Sequence, residues 1–202
     1  MTGAPLIGVL ALQGDVREHE NALASCGVAT RRIRLPADLD GIDALVVPGG
    51  ESTTMSNLAL RWGLMEPLRA RVGEGMPAYG SCAGMIMLAD RLEGGRPDQQ
   101  TIGGLDVTVR RNAFGRQVDS FEADVQILAL GPTPIHAVFI RAPWVEQAGE
   151  SVQVLGTIAS GDAASRIVAV RQGHLLATSF HPELTGDTRV HQYFVEMVRE
   201  QA

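Results

Sequence analysis

A thiol at Cys82, set in Gly80-Ser81-Cys82-Ala83-Gly84, and an imidazole and carboxylate two positions apart in His181-Pro182-Glu183 are the groups best suited to joint chemistry in this chain. A nucleophile, a general base and a group that orients the base are what cysteine-based acyl transfer requires. Each has a plainer reading: a structural thiol in a small-residue turn, a hydrogen-bonded histidine at a strand end, a solvated glutamate. Their flanking segments decide between the two.

The run Met76 to Tyr79 ends at Gly80, and Ala83 to Ala89 is compatible with a helix. A nucleophile between strand and helix stands on a crowded turn that demands small neighbours, as in G-x-S-x-G elbows. Gly80, Ser81, Ala83 and Gly84 supply them. Helix N-termini and nearby imidazolium groups favour thiolates in general. His181 follows the strand-like run Leu175 to Phe180. Pro182 biases His181 toward extended geometry, where residues i and i+2 share a face, so Glu183 is expected beside the imidazole through an extended backbone. There it would fix the tautomer and stabilise the cation.

A third segment, Val46 to Thr53, runs a strand (Ala44 to Val47) into Gly49-Gly50 and then into Glu51-Ser52-Thr53. Glycines there let backbone N–H groups approach a ligand. In a cysteine acyl-transfer site, Gly49 and Gly50 are where a second oxyanion donor would sit beside the N–H of Ala83.

The elements that must position these groups alternate. Strands are expected at Leu6 to Leu12, Ala29 to Leu35 and Ala44 to Val47, with helices at Val16 to Cys26, Thr54 to Leu60, Met65 to Val72 and Arg189 to Glu200. Short strands, suggesting antiparallel additions, fill Leu105 to Val170. The order predicts an α/β fold: a doubly wound, mainly parallel sheet with helices on both faces. Ligands in such sheets bind at strand C-terminal ends, where Gly50 and Cys82 both fall. With no repeat or linker, residues 1–202 read as one domain, able to bury about 70% of its unfolded surface.

With these pieces in place, the chain resembles the class I glutamine amidotransferases. It is more narrowly similar to the glutaminase subunits of pyridoxal 5′-phosphate synthase. The likeness runs through Leu10-Ala11-Leu12-Gln13-Gly14 with Glu18-His19, Pro48 to Met55, Arg111-Asn112-Ala113-Phe114-Gly115-Arg116-Gln117, Asp119 to Glu122, Phe139 to Pro143, and Phe180 to Thr185. The resemblance implies Cys82 as nucleophile, His181 as base and acid, and Glu183 as orienter. It also implies that Gly50, Glu51, Ser52, Arg111, Ile140 and Arg141 contact L-glutamine. A guanidinium suits the substrate's α-carboxylate, and a carboxylate or carbonyls suit its α-ammonium. Arg110 and Arg111 cannot be told apart by their types alone; the resemblance selects Arg111. Two departures are a serine at 81, where threonine is more usual, and a slightly long polar loop, Glu93 to Thr101, bearing on local contacts to a partner.

Composition bounds the rest. A net charge of −6 without a basic stripe argues against a nucleic-acid partner. The run Leu6 to Leu12 is too short for a membrane span and lacks a basic flank, so a cytoplasmic protein is expected. Two cysteines make no disulfide framework, and Cys26 reads as packing. No Cys/His cluster has metal-ligand spacing, and no metal or cofactor is expected. Met55, Met85 and Met87 read as packing, and His19, His136, His174 and His191 as structural or exposed. All 17 basic residues are arginine. Imine chemistry on sugar phosphates uses a lysine amine, so on this reading ring assembly falls to a separate synthase subunit and this chain supplies ammonia. The same triad would serve the glutaminase subunit of another amidotransferase, such as imidazole glycerol phosphate synthase. A cysteine hydrolase on a similar sheet is a further alternative, but it leaves the H-P-E pair and the arginines without a role.

Overall fold

A computed structural model of the chain describes residues 4–113, 120–161 and 163–201. Phe114 to Gln117 and Asp119, part of the family-like segments, lie outside the described residues.

The N-terminal half alternates as expected: β1 (Leu6–Leu10), α1 (Val16–Ser25), β2 (Ala29–Ile33), β3 (Ala44–Val47), α2 (Ser52–Arg61), α3 (Met65–Gly73), β4 (Ala78–Ser81) and α4 (Ala83–Leu88). Then follow β5 (Ala89–Glu93), β6 (Leu105–Arg110), β7 (Ser120–Val125), β8 (Ile135–Ile140), β9 (Trp144–Ala148), β10 (Gln153–Thr157), β11 (Ile167–Gln172), β12 (Leu175–Thr178) and α5 (Arg189–Glu200). The main sheet has the order β2-β1-β3-β4-β12-β11-β9-β6-β5, with β10 on β11 and β7–β8 as a separate hairpin. Strands β2 to β12 in that order are mutually parallel. Beyond β12 the pairing turns antiparallel through β11, β9 and β6. Strand β5 then returns parallel to β6.

The central strands are buried on both faces, and alternate residues feed two cores. In β3, Leu45 and Val47 face one core with Met55, Leu68 and Met85 of α2, α3 and α4. Ala44 and Val46 face the other with Leu23 of α1 and Phe194 and Val198 of α5. This is the period-2 signature of a strand covered on both sides.

Several boundaries differ from expectation. Strand β1 ends at Leu10, and residues Gln13 to Asp15 then contact the loop after β3. Strand β2 stops at Ile33 because the Arg34 and Leu35 amides donate to the Asp38 carboxylate, which closes a turn. Helix α2 starts at Ser52, two residues early, because the Glu51 side chain accepts from the Thr53 and Thr54 amides. The elbow strand runs on through Gly80 and Ser81, and Ala89 to Glu93 forms a strand not foreseen.

Candidate active site

Strands β4 and β12 are paired in parallel, Thr178 opposite Ser81. Their C-terminal ends therefore bring Cys82 and His181 to one edge of the sheet. Cys82 adopts φ 48°, ψ −102°, a conformation that costs a side-chain-bearing residue on the order of 1–3 kcal/mol. Gly80 makes the turn possible, since a Cβ there would fall on the backbone carbonyl of Gly84.

The Cys82 thiol is 3.8 Å from the Ile140 carbonyl oxygen, to which it donates. His181 Nδ1 lies 2.8 Å from Glu183 Oε1. His181 Nε2 is buried; with Nδ1 held by Glu183, it is the ring edge left to serve a reacting group. His181 and Glu183 meet by a different route from the extended one expected. Pro182–Leu184 forms a 3-10 turn, with His181 at φ −108°, ψ 82° just ahead of it. Proline at the first position of a helical turn is well tolerated because its missing N–H has no acceptor there.

Burial disfavours the His181 cation. Hydrogen bonds to Asp15, Cys82 and Glu183 outweigh it and push the pKa up to about 12. Burial would likewise raise Glu183, but His19 and His181 hold it well below the usual carboxylate range. Asp15 was not foreseen: its Oδ2 is 3.3 Å from His181 Nδ1, a second carboxylate on the same edge. Asp15, His181 and Glu183 thus place an O, N, O set within 4.8 Å, a spacing that sequence separation conceals and that a cation could accept. Both carboxylates converge on Nδ1, and one N–H there accounts for the arrangement without a metal.

A cavity of about 450 Å³ opens over the thiol. Cys82, Ala83 and His181 line it, as do the residues that the resemblance assigned to glutamine: Gly50, Glu51, Ser52, Arg111, Ile140 and Arg141. Gly49 is placed differently. It is buried behind His181, where a Cβ would enter the imidazole ring, and its carbonyl accepts from the Asp15 N–H at 3.1 Å. Gly50, at φ 150°, is the glycine at the cavity wall. Ala83 opens α4, where the first N–H groups of a helix lack intrahelical acceptors.

Arg111 is held by the chain itself. Its Nη2 donates to Glu51 Oε1 at 3.1 Å, and its Nη1 to Gln99 Oε1 at 2.6 Å and Thr53 Oγ1 at 3.1 Å. Burial works against the Glu51 carboxylate, yet the Thr54 hydroxyl and the Thr53 and Thr54 amides bring its pKa down to about 2. The loop Glu93 to Thr101 therefore does more than flank a partner. Through Gln99, which also donates to Ser52 Oγ at 3.1 Å, it braces Arg111. Arg141 makes no ion pair among the described residues, and like Asn112 it sits in the left-handed region, at φ 43° and 45° respectively. Gln13, which entered the sequence reading only within the family-like segment Leu10 to Gly14, accepts through Oε1 from the Glu51 N–H at 2.6 Å. Among the other residues, Met55, Met85 and Met87 are fully buried, Cys26 is a free, part-buried thiol, and His136 is an exposed partner of Glu122.

Sheet and site together define the class, that of the glutamine amidotransferases. A solved glutamine amidotransferase structure matches with TM-score 0.87 and 48% identity, covering 96% of this chain and 98% of that one. The chain belongs to the SNO glutamine amidotransferase family, which matches residues 9–200. The pyridoxal 5′-phosphate synthase subunit PdxT of Nocardioides sp. is 63% identical over 201 residues, spanning 100% of both chains. The PdxT subunit of Kineococcus radiotolerans is 64% identical over 199 residues, covering 98% of this chain and 96% of that one. No helix among the described residues is long and apolar enough to cross a membrane.

Proposed function

We infer that this chain is the glutaminase subunit of pyridoxal 5′-phosphate synthase. It hydrolyses L-glutamine to L-glutamate and delivers the ammonia to a separate synthase subunit. The observation that carries the chemistry is Cys82 on a strained elbow at the wall of a cavity that also holds His181, with Glu183 bonded behind the imidazole. Full-length likeness to PdxT subunits carries the partner.

In this reading the Cys82 thiolate adds to the glutamine side-chain carbonyl carbon, and the oxygen becomes an oxyanion facing the N–H of Ala83 and the Gly49-Gly50 segment. Having taken the Cys82 thiol proton, His181 is a cation and therefore an acid. It gives its proton to the leaving nitrogen as the C–N bond breaks, which yields ammonia and a γ-glutamyl thioester. The neutral imidazole then takes a proton from water as the oxygen adds, and collapse expels the Cys82 thiolate and leaves glutamate. Arg111 and Arg141 bind the α-carboxylate, and Glu51 the α-ammonium. No metal or cofactor enters these steps. We read residues 1–202 as one glutaminase domain. Its reduced thiols suit a cytoplasmic setting, and the chain's lack of lysine leaves imine chemistry to the partner.

Glutamate release, measured on the chain alone and with a pyridoxal 5′-phosphate synthase subunit, tests this. Stimulation by that subunit, lost in Cys82→Ala, is the expected result. Turnover that another amidotransferase synthase stimulates instead would reassign the partner, and no turnover with any partner would overturn the reading.

A further inference from the structure

The Glu183 side chain is fully buried between two imidazoles. His181 Nδ1 is 2.8 Å from its Oε1, and His19 Nε2, from α1, is 3.4 Å from the same oxygen. The same His19 nitrogen lies 2.9 Å from Ser81 Oγ, the residue before the nucleophile. Its other nitrogen, Nδ1, is 2.9 Å from His191 Nε2 on α5. His19, Ser81 and His191 are all 0% exposed. A lone structural histidine would not join the orienting acid, the elbow strand and a second buried imidazole.

We propose that His19 is a positioning residue of the glutaminase, its Nε2–H holding Glu183 against His181 and tying the acid through Ser81 to the strand that carries Cys82. The inference rests on the glutaminase reading above. A carboxylate only accepts hydrogen bonds, so the His19 nitrogen facing Glu183 carries the hydrogen. In neutral His19, Nδ1 must then accept, and His191 Nε2–H donates to it. This chain of donors leaves the partnerless His191 Nδ1 as a bare lone pair. A cationic His19 would instead turn His191 Nε2 into an acceptor and strand its Nδ1–H in the core, which is the costlier arrangement. Burial above all brings the His191 pKa down to about 3, so it stays neutral and able to play this part.

The groups that face Glu183 are His181 on its own turn, His19 from α1, His191 beyond it from α5 and the Tyr79 phenol from β4, with Asp15 and Cys82 reaching it through His181. Of these, His19 and His181 are the ones that bond the carboxylate. Removing the His19 hydrogen bond therefore lets Glu183 take up a proton at higher pH.

The test is steady-state glutamate release by the full chain with its synthase partner, across pH, for wild type, His19→Leu, His19→Gln and His191→Leu. For His19→Leu, kcat falls about tenfold or more with KM within about twofold, the pattern of lost transition-state positioning. The acid limb of kcat/KM moves to higher pH. His19→Gln, whose amide can donate near the Nε2 position, recovers most of kcat. If His19→Leu does not fold, His191→Leu carries the test, with the same direction of change in kcat and acid limb. A folded His19→Leu or His191→Leu with wild-type kcat and an unmoved acid limb, whatever its Tm, overturns the proposal. A wild-type chain inactive with its partner overturns the glutaminase reading and this proposal with it, which separates the two failures.

Discussion

Gly84 stands directly against Val47: a Cβ at position 84 would fall on the Val47 carbonyl oxygen. The helix behind the nucleophile is thus pressed onto the end of β3, the strand that leads into the Gly49-Gly50 loop. Both sides of the proposed oxyanion site are set by one backbone-to-backbone contact. Gly84→Ala should destabilise the chain by about 1–3 kcal/mol, as overpacking against an unyielding neighbour does. It should also lower glutamate release in the protein that still folds. Urea unfolding and activity at matched folded fraction check this, and a variant of wild-type stability and rate would contradict the contact.

Cys82 carries the strain of the elbow as well as the proposed chemistry. Cys82→Ala and Cys82→Gly should both abolish turnover. Glycine meets φ 48° without a Cβ penalty, so Cys82→Gly should melt at or above the temperature of Cys82→Ala. A markedly lower Tm for the glycine variant would show that the backbone there is relaxed.

Glu51 has two tasks, capping α2 through the Thr53 and Thr54 amides and holding Arg111. Glu51→Ala should cost about 1 kcal/mol of stability, the scale of a lost N-cap, and should raise KM for glutamine more than it lowers kcat. Melting curves and a KM–kcat split are the readouts. An unchanged KM would remove Glu51 from substrate binding.

Gln99→Ala should act through Arg111, freeing a guanidinium that Gln99 holds at 2.6 Å. The expected outcome is a higher KM with folding intact. Equal kinetics in variant and wild type would return the Glu93 to Thr101 loop to a purely peripheral role.

His181 makes stability depend on pH in a definite direction. Its pKa rises from 6.5 to about 12 on folding, so the folded chain binds the proton more tightly. The resulting stabilisation is full below about pH 6.5 and is lost as pH climbs toward 12. The stability gap between wild type and His181→Gln, measured in urea, should therefore narrow from pH 6 to pH 10. A constant gap would mean that the imidazole is not held as a cation.

Much of the candidate site's geometry was legible in residue order because its residues sit at punctuation points. Gly80 and Gly84 around Cys82, and Pro182 after His181, mark turns whose sterics leave few alternatives. Helix α5 matched its expected bounds, Arg189–Glu200, because Val190, Phe194, Val195 and Val198 repeat at helical spacing on one buried face. The contacts that escaped notice are those made across space by residues with no local signature. Asp15 reaches His181 from the start of α1, and Gln99 reaches Arg111 from a loop that reads only as polar. His19 sits in an ordinary amphipathic helix, and nothing in its neighbours announces that it faces Glu183. The 3-10 turn after His181 was missed for another reason: proline's bias on the preceding residue was extended too far, to Glu183, which lies inside the turn.

The pairing of β4 with β12 also has a consequence for synthesis. Tyr79 and Thr178, whose hydroxyls meet at 3.0 Å across that pair, are 99 positions apart. During translation the strand bearing the thiol leaves the ribosome long before the strand that brings the imidazole. Until β12 adds beside β4, Cys82 lacks the imidazole that the proposed chemistry needs. A nascent or C-terminally truncated chain therefore carries an unactivated cysteine, and ammonia release begins only once the last strand of the parallel sheet is seated.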